Sequence, residues 1–355
     1  MEFEKFVRLL PPKMLEKRKN DHLDIVLSKR HASSSTTTGL ESVTFVHCAL
    51  PEMNLDDVNV HTEFLGKRIN APFLISSMTG GPSKAETVNA NIANVCEELG
   101  LPFGIGSQRI ALENGSSGGL GANLRKYAPS VPIIGNIGAA QLNRGYGIDE
   151  AVRAVEMICA DGLFIHLNPL QEAVQSEGDR DWSNLLEKIA RLVSDLPVPI
   201  AVKEVGFGIS EQIAGDLARA GVTIIDVAGA GGTNWASVEA ARSDDPVRSR
   251  LGDTFSNWGI PTAYAVAQAR QVCPDTTLIA SGGIKNGLDI AKAIRIGADL
   301  GGIAAGVLQA AVVSDRKLHN LLSVIIEELR ITCFCTGSKD LDSLRNANVI
   351  EPGKY

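Results

Sequence analysis

The sequence predicts an α/β protein: a (β/α)8 TIM barrel carrying an N-terminal extension. Three observations predict it. Short apolar runs alternate with amphipathic segments along most of the chain. Those runs keep ending in polar, glycine-containing turns, as at residues 73–81, 103–109, 224–233 and 278–284. The chain has 355 residues, a length that two domains or one elaborated α/β barrel accommodates. An open doubly wound sheet would gather its polar turns at one switch point. Here they follow nearly every strand, which favours the closed barrel.

The expected strands are 72–77, 103–106, 132–136, 163–167, 199–203, 223–227, 277–280 and 301–305. Between them, helical spacing marks 86–99, 148–160, 182–193, 211–220, 261–273 and 288–296. In the first of these Val88, Ile92, Val95 and Leu99 share one face. Asp149, Ser210 and Asn286 stand where N-caps belong. Residues 1–71 break the alternation and form the extension, expected to pack on the barrel and reach its mouth. It holds a charged helix-like piece, a mobile-looking Ser/Thr tract at 33–38, and strand-like stretches near 43–48 and 58–64. The barrel with its helical tail is expected over 72–355. Residues 232–259 are long and irregular for a strand-to-helix link and form a candidate lid.

With 44% apolar and 21% charged residues, the chain has material for a sizeable core. Its formal charge of −7 argues against nucleic acid or an anionic membrane surface as general partner. No uninterrupted apolar run approaches the ~18 residues of a spanning helix, and the N-terminus lacks a secretory pattern. The six cysteines are scattered, none in a CxxC pair, which suits reduced core thiols and a cytoplasmic location.

Chemistry gathers at strand ends, which in a barrel face the reaction chamber. His166 to Glu172 (HLNPLQE) brings an imidazole, two amides and a carboxylate together. Glu172 suits a hard cation such as Mg²⁺, which takes one carboxylate plus substrate phosphate. Gln171 is placed to hydrogen-bond a substrate or relay a proton. Lys203 ends the fifth strand, where a lysine serves as Schiff-base former, as base, or as partner of an electron-rich cofactor edge. The turns Ser281 to Lys285 and Ala305-Gly306 follow the last two strands, where barrels build phosphate sites, and 229–233 adds a third glycine-rich edge. Arg18, Lys19 and His22 in the extension offer a grip on a second anion, and Arg109 beside Ser107 and Gln108 another. No Ser-His-Asp order, HExxH or Walker A sequence occurs. His31, His47, His61 and His319 read as ordinary surface or core residues.

Taken in order, SSMTGG, GSQR, GNIGAAQL, HLNPLQE, AVKEVGFG, AGAGGTNW, WGIPTA and SGGIK, with RKxxH near the start, resemble the type 2 isopentenyl diphosphate isomerases. The resemblance runs from about Arg18 to the end of the barrel. It implies an FMN-dependent enzyme interconverting isopentenyl and dimethylallyl diphosphate, using reduced FMN, Mg²⁺, and NADPH or NADH as reductant, in a homo-oligomer (tetramer or octamer). Carried over by motif, Ser77, Met78, Thr79, Ser107, Asn136, Lys203 and Thr233 contact the flavin. Gly283, Ile284, Lys285, Ala305 and Gly306 hold its phosphate. Arg18, Lys19, His22, Ser107, Gln108, Arg109, Asn168 and Gln171 bind substrate, and Glu172 its metal. Gln171 and Lys203 carry the catalytic expectation. Two positions depart from the family: Lys285 where arginine is common, and Asn257 where an acid is half expected. The competing readings are an FMN-dependent 2-hydroxy-acid oxidase or nucleotide-type dehydrogenase, and a non-catalytic phosphate or flavin sensor. An oxidase wants a histidine base late in the barrel, a dehydrogenase a cysteine on a mouth loop, and neither is in place.

Overall fold

Strand-forming residues on both faces of a sheet produce continuous apolar runs, and a parallel sheet closed by helices is the architecture that buries both faces. The computed structural model describes residues 12–28, 35–77, 83–114 and 120–350, with side chains omitted at 12–18, 83, 84 and 114. Eight strands, Phe73–Ile75, Phe103–Gly104, Ile133–Gly138, Gly162–His166, Ile200–Lys203, Ile224–Asp226, Thr277–Ala280 and Leu300–Ile303, close into a barrel. All eight neighbour pairs are parallel, and the eighth strand pairs with the first. Every strand lies within or against its expected segment.

The period of two along each strand sorts the core into layers. Leu74, Ile134, Phe164, Ala201, Ile224, Ile279 and Leu300 form one buried cluster inside the barrel. Their neighbours Phe73, Ile75, Ile133, Leu163, Ile165, Ile200, Val202 and Ile225 face the surrounding helices in the main core. The antiparallel pair Thr62–Phe64 and Lys67–Ile69 contributes Phe64, Leu65 and Ile69 to the inner cluster. Leu65 stands against Gly162, the first residue of the fourth strand, so this hairpin closes the end at which the strands begin.

Helix ends follow local chemistry. Ser210 and Asn286 cap their helices by accepting from the backbone N–H groups of Ile213 and Asp289. Asp149 does not cap. The helix Ile148–Ile158 has its cap two residues earlier, at Gly147, whose N–H the Glu150 carboxylate takes at 2.8 Å, leaving Asp149 in the first turn. The irregular stretch at 232–259 carries two helices, Trp235–Arg242 and Pro246–Thr254, started by the Asn234 and Asp245 side chains. The Ser/Thr tract is tied down over 35–38. Ser35 donates from N–H and Oγ to the Asn257 side chain, and Ala263 N–H donates to Thr38 O at 2.9 Å. The tail forms the helix Asp315–Cys335 and pairs with the extension through bridges Phe45 to Val349 and Asn59 to Asp340.

Candidate active site

Two residues beyond each interior apolar position, the same face of the strand reaches the mouth. There Leu74 gives way to Ser76, Ile134 to Asn136, Phe164 to His166, Ala201 to Lys203, Ile224 to Asp226, Ile279 to Ser281 and Leu300 to Gly302. The alternation that builds the core thus delivers a ring of polar and small residues at the carboxyl ends. All of these except Asp226 line one cavity of about 730 Å³, within the ~300–1,000 Å³ range of small-molecule sites. The extension helix Pro12–Ser28 forms part of its wall through Lys19, His22, Leu23 and Val26.

One side of the cavity is a backbone cradle. Gly231 to Thr233, Gly282 to Lys285, Ala305 and Gly306 line it, and the helix Ala305–Val313 starts there with its positive dipole end. Gly283 has φ +80°, and a Cβ on it would stand 2.5 Å from Gly231 O and Thr38 Cγ2. Lys285 adds a cation, its backbone N–H held by Asp289 at 3.0 Å. Nearby, the Oγ atoms of Ser76 and Ser77 are buried with no partner among the described residues, in a wall where buried polar groups are normally satisfied. Close-approach glycines, a helix start and orphaned hydroxyls fit a phosphorylated, polar-edged ligand such as FMN.

The opposite rim is cationic. Lys19 Nζ donates to Ser107 O at 3.1 Å, which brings the extension helix to the second strand's turn. Arg109 is 7% exposed; its Nε donates to Glu113 at 2.9 Å and its Nη1 to Asp179 at 3.3 Å. Between rim and floor lies Glu172, also buried, whose Oε1 accepts from Asn168 at 2.9 Å and Oε2 from Asp179 N–H at 2.6 Å. Gln171 accepts from Asn168 at 3.2 Å and donates to Glu239 at 2.9 Å. His22 reaches the same Glu239 oxygen at 2.9 Å and meets Trp235 edge-on. Burial pushes the Glu239 carboxyl up, but His22, Arg242 and Gln171 outweigh it and hold it near 2. Among the described residues no three His, Cys, Asp or Glu side chains group into a metal site. Glu172 therefore offers one carboxylate, a donor set that suits a Mg²⁺ sharing its ligation with phosphate.

The floor is electrostatically unusual. His166, Lys203 and Asp226 stand in register on adjacent strands. Burial pushes the His166 imidazole down to about 3, helped by the positive charges of Lys203, Lys19 and Arg109. The ring is neutral at working pH. Burial likewise lowers Lys203, opposed by Asp226 and Glu204, and its Nζ donates to Glu204 O at 2.5 Å. Burial raises Glu204 to about 7 even though its Oε2 accepts three consecutive backbone N–H groups, from Val205 to Phe207. Perturbed groups clustered in a cavity mark a functional site.

Of the residues expected from sequence, Lys19, His22, Ser77, Ser107, Arg109, Asn136, Asn168, Gln171, Glu172, Lys203, Thr233, Gly283, Ile284, Lys285, Ala305 and Gly306 all line this cavity. Met78, Thr79 and the Arg18 side chain lie outside the described residues. Gln108 does not line it. Its side chain is fully buried behind the wall, accepting from Asn136 N–H at 2.9 Å and donating to Ala154 O at 2.8 Å, so it braces the third strand. Sequence reasoning passed over Glu239, Trp235, Asp179 and Asp226. Asp226 was detectable, two residues past an interior isoleucine like the other floor residues. Glu239 and Trp235 share a helix face by their i, i+4 spacing, yet nothing local says that the face turns inward.

Fold and site together define an FMN-type α/β-barrel enzyme, and a family model described as FMN-dependent dehydrogenase matches residues 166–351. An isopentenyl-diphosphate delta-isomerase of Stutzerimonas stutzeri is 54% identical over 95% of this chain and 97% of its own. One from Xanthobacter autotrophicus is 54% identical over 93% and 96%, and one from a Nostoc species 47% over 95% and 96%. The chain belongs to the type 2, FMN-dependent isopentenyl-diphosphate delta-isomerase family. Solved structures share the fold at low identity. A chimera of (S)-mandelate dehydrogenase superposes with TM-score 0.65 at 15% identity, covering 94% of this chain and 97% of that one. A mandelate oxidase with 2-hydroxy-phenylacetamide gives 0.62 at 16%, covering 96% and 98%.

Proposed function

We propose that this protein interconverts isopentenyl diphosphate and dimethylallyl diphosphate by a 1,3-allylic proton shift, with reduced FMN and Mg²⁺. The observation that carries the reading is one cavity with two separate anion-binding ends. The glycine cradle at 283–285 and 305–306 suits a cofactor phosphate, and the rim of Lys19 and Arg109 with Glu172 suits a second, metal-bound diphosphate. The relatives named for this isomerisation support the same assignment.

Residues that would hold FMN are Ser77, Ser107, Asn136, Lys203, Thr233, Gly283, Ile284, Lys285, Ala305 and Gly306, with Met78 and Thr79 from the motif. When bound and reduced, it supplies an electron-rich ring able to exchange a proton. Arg18, Lys19, His22, Ser107, Arg109, Asn168 and Gln171 bind the substrate, and Glu172 binds Mg²⁺. Leu23, Val26, Ile110 and Trp235 give the cavity an apolar wall for a five-carbon chain. Such a wall keeps water from a cation-like alkene state. Neutral His166 and the tethered Gln171 amide surround that carbon skeleton without adding an acid strong enough to act alone. Lys203 supplies positive charge at the floor. A nicotinamide reductant, a homo-oligomer and a cytoplasmic site of action complete the reading.

The test is direct: FMN-loaded protein is reduced anaerobically, given MgCl₂ and isopentenyl diphosphate in D₂O, and followed by NMR. Deuterated dimethylallyl diphosphate is expected; unchanged substrate refutes the proposal. The second reading, a 2-hydroxy-acid oxidase, draws on the fold of the solved neighbours. Residues 167–318 contain no histidine, which leaves the late turns without the base that chemistry wants. Peroxide formation from lactate or mandelate would favour it.

A further inference from the structure

Asp179 touches neither end of the cavity, yet both the rim arginine and the rim carboxylate depend on it. Its position begins with a glycine. A Cβ at Gly178 would stand 1.8 Å from Glu172 O, so a residue without a side chain lets the chain fold back onto the helix Pro169–Val174. The fold-back puts Asp179 N–H on Glu172 Oε2 at 2.6 Å. Trp182 Nε1 then donates to Asp179 O at 2.8 Å and holds the turn from the far side.

The Asp179 side chain is 4% exposed and faces two cations. Its Oδ2 lies 3.3 Å from Arg109 Nη1, and its Oδ1 pairs with Arg144 Nη2. With Glu113 holding Arg109 Nε at 2.9 Å, two acids fix the guanidinium plane. Nη2 is left without a partner among the described residues. A planar guanidinium held on two edges presents its remaining donors, those of Nη2 among them, in one direction, as an oriented phosphate contact requires.

The geometry points to Asp179 as a positioning residue that locks Arg109 and Glu172 into one frame, so that diphosphate and its metal are received together. This rests on the function proposed above. The side-chain charge aims Arg109, and the backbone N–H aims Glu172. Arg144, on the other oxygen, neutralises the buried carboxylate and holds it in place.

The experiment compares wild-type and Asp179→Asn protein, both FMN-loaded. Isopentenyl diphosphate binding to the oxidised form is measured by calorimetry with and without MgCl₂, and KM, kcat and the Mg²⁺ midpoint are measured after reduction. Asparagine keeps the backbone N–H and the side-chain shape but loses the charge. Substrate Kd and KM are expected to rise at least tenfold and the Mg²⁺ midpoint at least threefold. The kcat at saturation should stay within about fivefold and FMN affinity within twofold. A merely structural role would lower the active fraction, hence kcat, and leave KM and the midpoint in place; that result overturns the inference. Because a stranded buried arginine threatens folding, the paired variant Arg109→Met with Asp179→Asn closes a cycle. Once Arg109 is gone, Asp179→Asn should weaken substrate binding less than twofold, whereas additive losses refute the coupling. If wild-type protein binds no substrate, the functional reading itself fails. If wild type binds and Asp179→Asn binds equally well, only the role of Asp179 fails.

Discussion

The Nδ1 atom of His166 lies 2.8 Å from the side-chain oxygen of Asn136, and this contact assigns the hydrogen. Asn136 Nδ2 is committed to Ile105 O at 3.0 Å, which can only accept, so the Asn136 oxygen faces the imidazole and Nδ1 carries the proton. Buried, and surrounded by Lys203, Lys19 and Arg109, the ring stays neutral down to about pH 3.

Linkage then predicts acid sensitivity. A histidine whose folded pKa is lowered binds its proton more readily in the unfolded chain, so stability falls as pH drops below the unfolded value near 6.5. The loss is about 1.4 kcal/mol per pH unit between ~6.5 and 3. Glu204, raised to about 7, acts in the opposite sense between its unfolded value and 7, so the wild-type curve alone is a sum. The comparison with His166→Gln isolates the imidazole. In urea unfolding of the FMN-free proteins, wild type should lose about 2 kcal/mol more than the variant between pH 6.5 and 5. Equal slopes would mean that His166 takes up its proton as readily in the folded protein as in the unfolded chain.

The glycine cradle proposed to hold FMN should be intolerant of a single methyl group. At Gly283, φ of +80° disfavours any side chain, and the new carbon would lie 2.5 Å from Gly231 O. Gly283→Ala is expected to weaken FMN binding at least tenfold in a fluorescence-quenching titration, with the strain alone costing roughly 1–2 kcal/mol. Binding of isopentenyl diphosphate, across the cavity, should change much less when FMN is supplied in excess. Unaltered FMN affinity would place the phosphate elsewhere.

Much of this was legible in the sequence because the barrel repeats one physical rule. Interior apolar residues such as Phe164 and Ala201 are each followed two positions later by a mouth residue, His166 and Lys203, so strand and site are read from the same alternation. The helix Trp235–Arg242 escaped because short polar-flanked segments carry little periodic signal, and its buried Glu239 reveals itself only through partners from other elements. Gln108 stands apart from the other expected residues for a related reason. Its neighbours Ser107 and Arg109 line the cavity, but successive residues in extended chain point to opposite sides, and Gln108 turns into the barrel wall.

Glu239 ties the extension to the barrel, and its removal should act through that tie. It contacts His22 at 2.9 Å, and His22 shares the helix Pro12–Ser28 with Lys19, whose Nζ reaches Ser107 O. Glu239→Gln keeps an acceptor for Gln171 but removes the charge facing His22 and Arg242. Looser docking of the helix should raise KM for isopentenyl diphosphate about tenfold, equivalent to ~1.4 kcal/mol. The carboxylate is ionised down to about pH 2, so its charge is present throughout the assay range and the tenfold difference should be seen at pH 6. An unchanged KM in the variant at pH 6 would contradict the docking role of Glu239.

Gln171, under the proposed function, should separate binding from reaction. Its amide is held at both ends, Oε1 by Asn168 at 3.2 Å and Nε2 by Glu239 at 2.9 Å, so its plane is fixed against the cavity. An amide is a poor acid in water. The contribution proposed for it comes from where it is held: a preset dipole facing the cavity would cost no reorganisation as charge develops there. Gln171→Ala removes that dipole and frees Asn168 and Glu239, while the glycine cradle across the cavity is untouched. Turnover is expected to fall by ~10²-fold or more, the scale of positioned proton-transfer groups. KM should move by only a few fold, since Lys19, Arg109 and Glu172, the residues proposed to receive the diphosphate, are unchanged. Steady-state assays with reduced, Mg²⁺-supplied enzyme measure both constants. A variant with near-normal kcat and a raised KM would assign Gln171 to substrate binding alone.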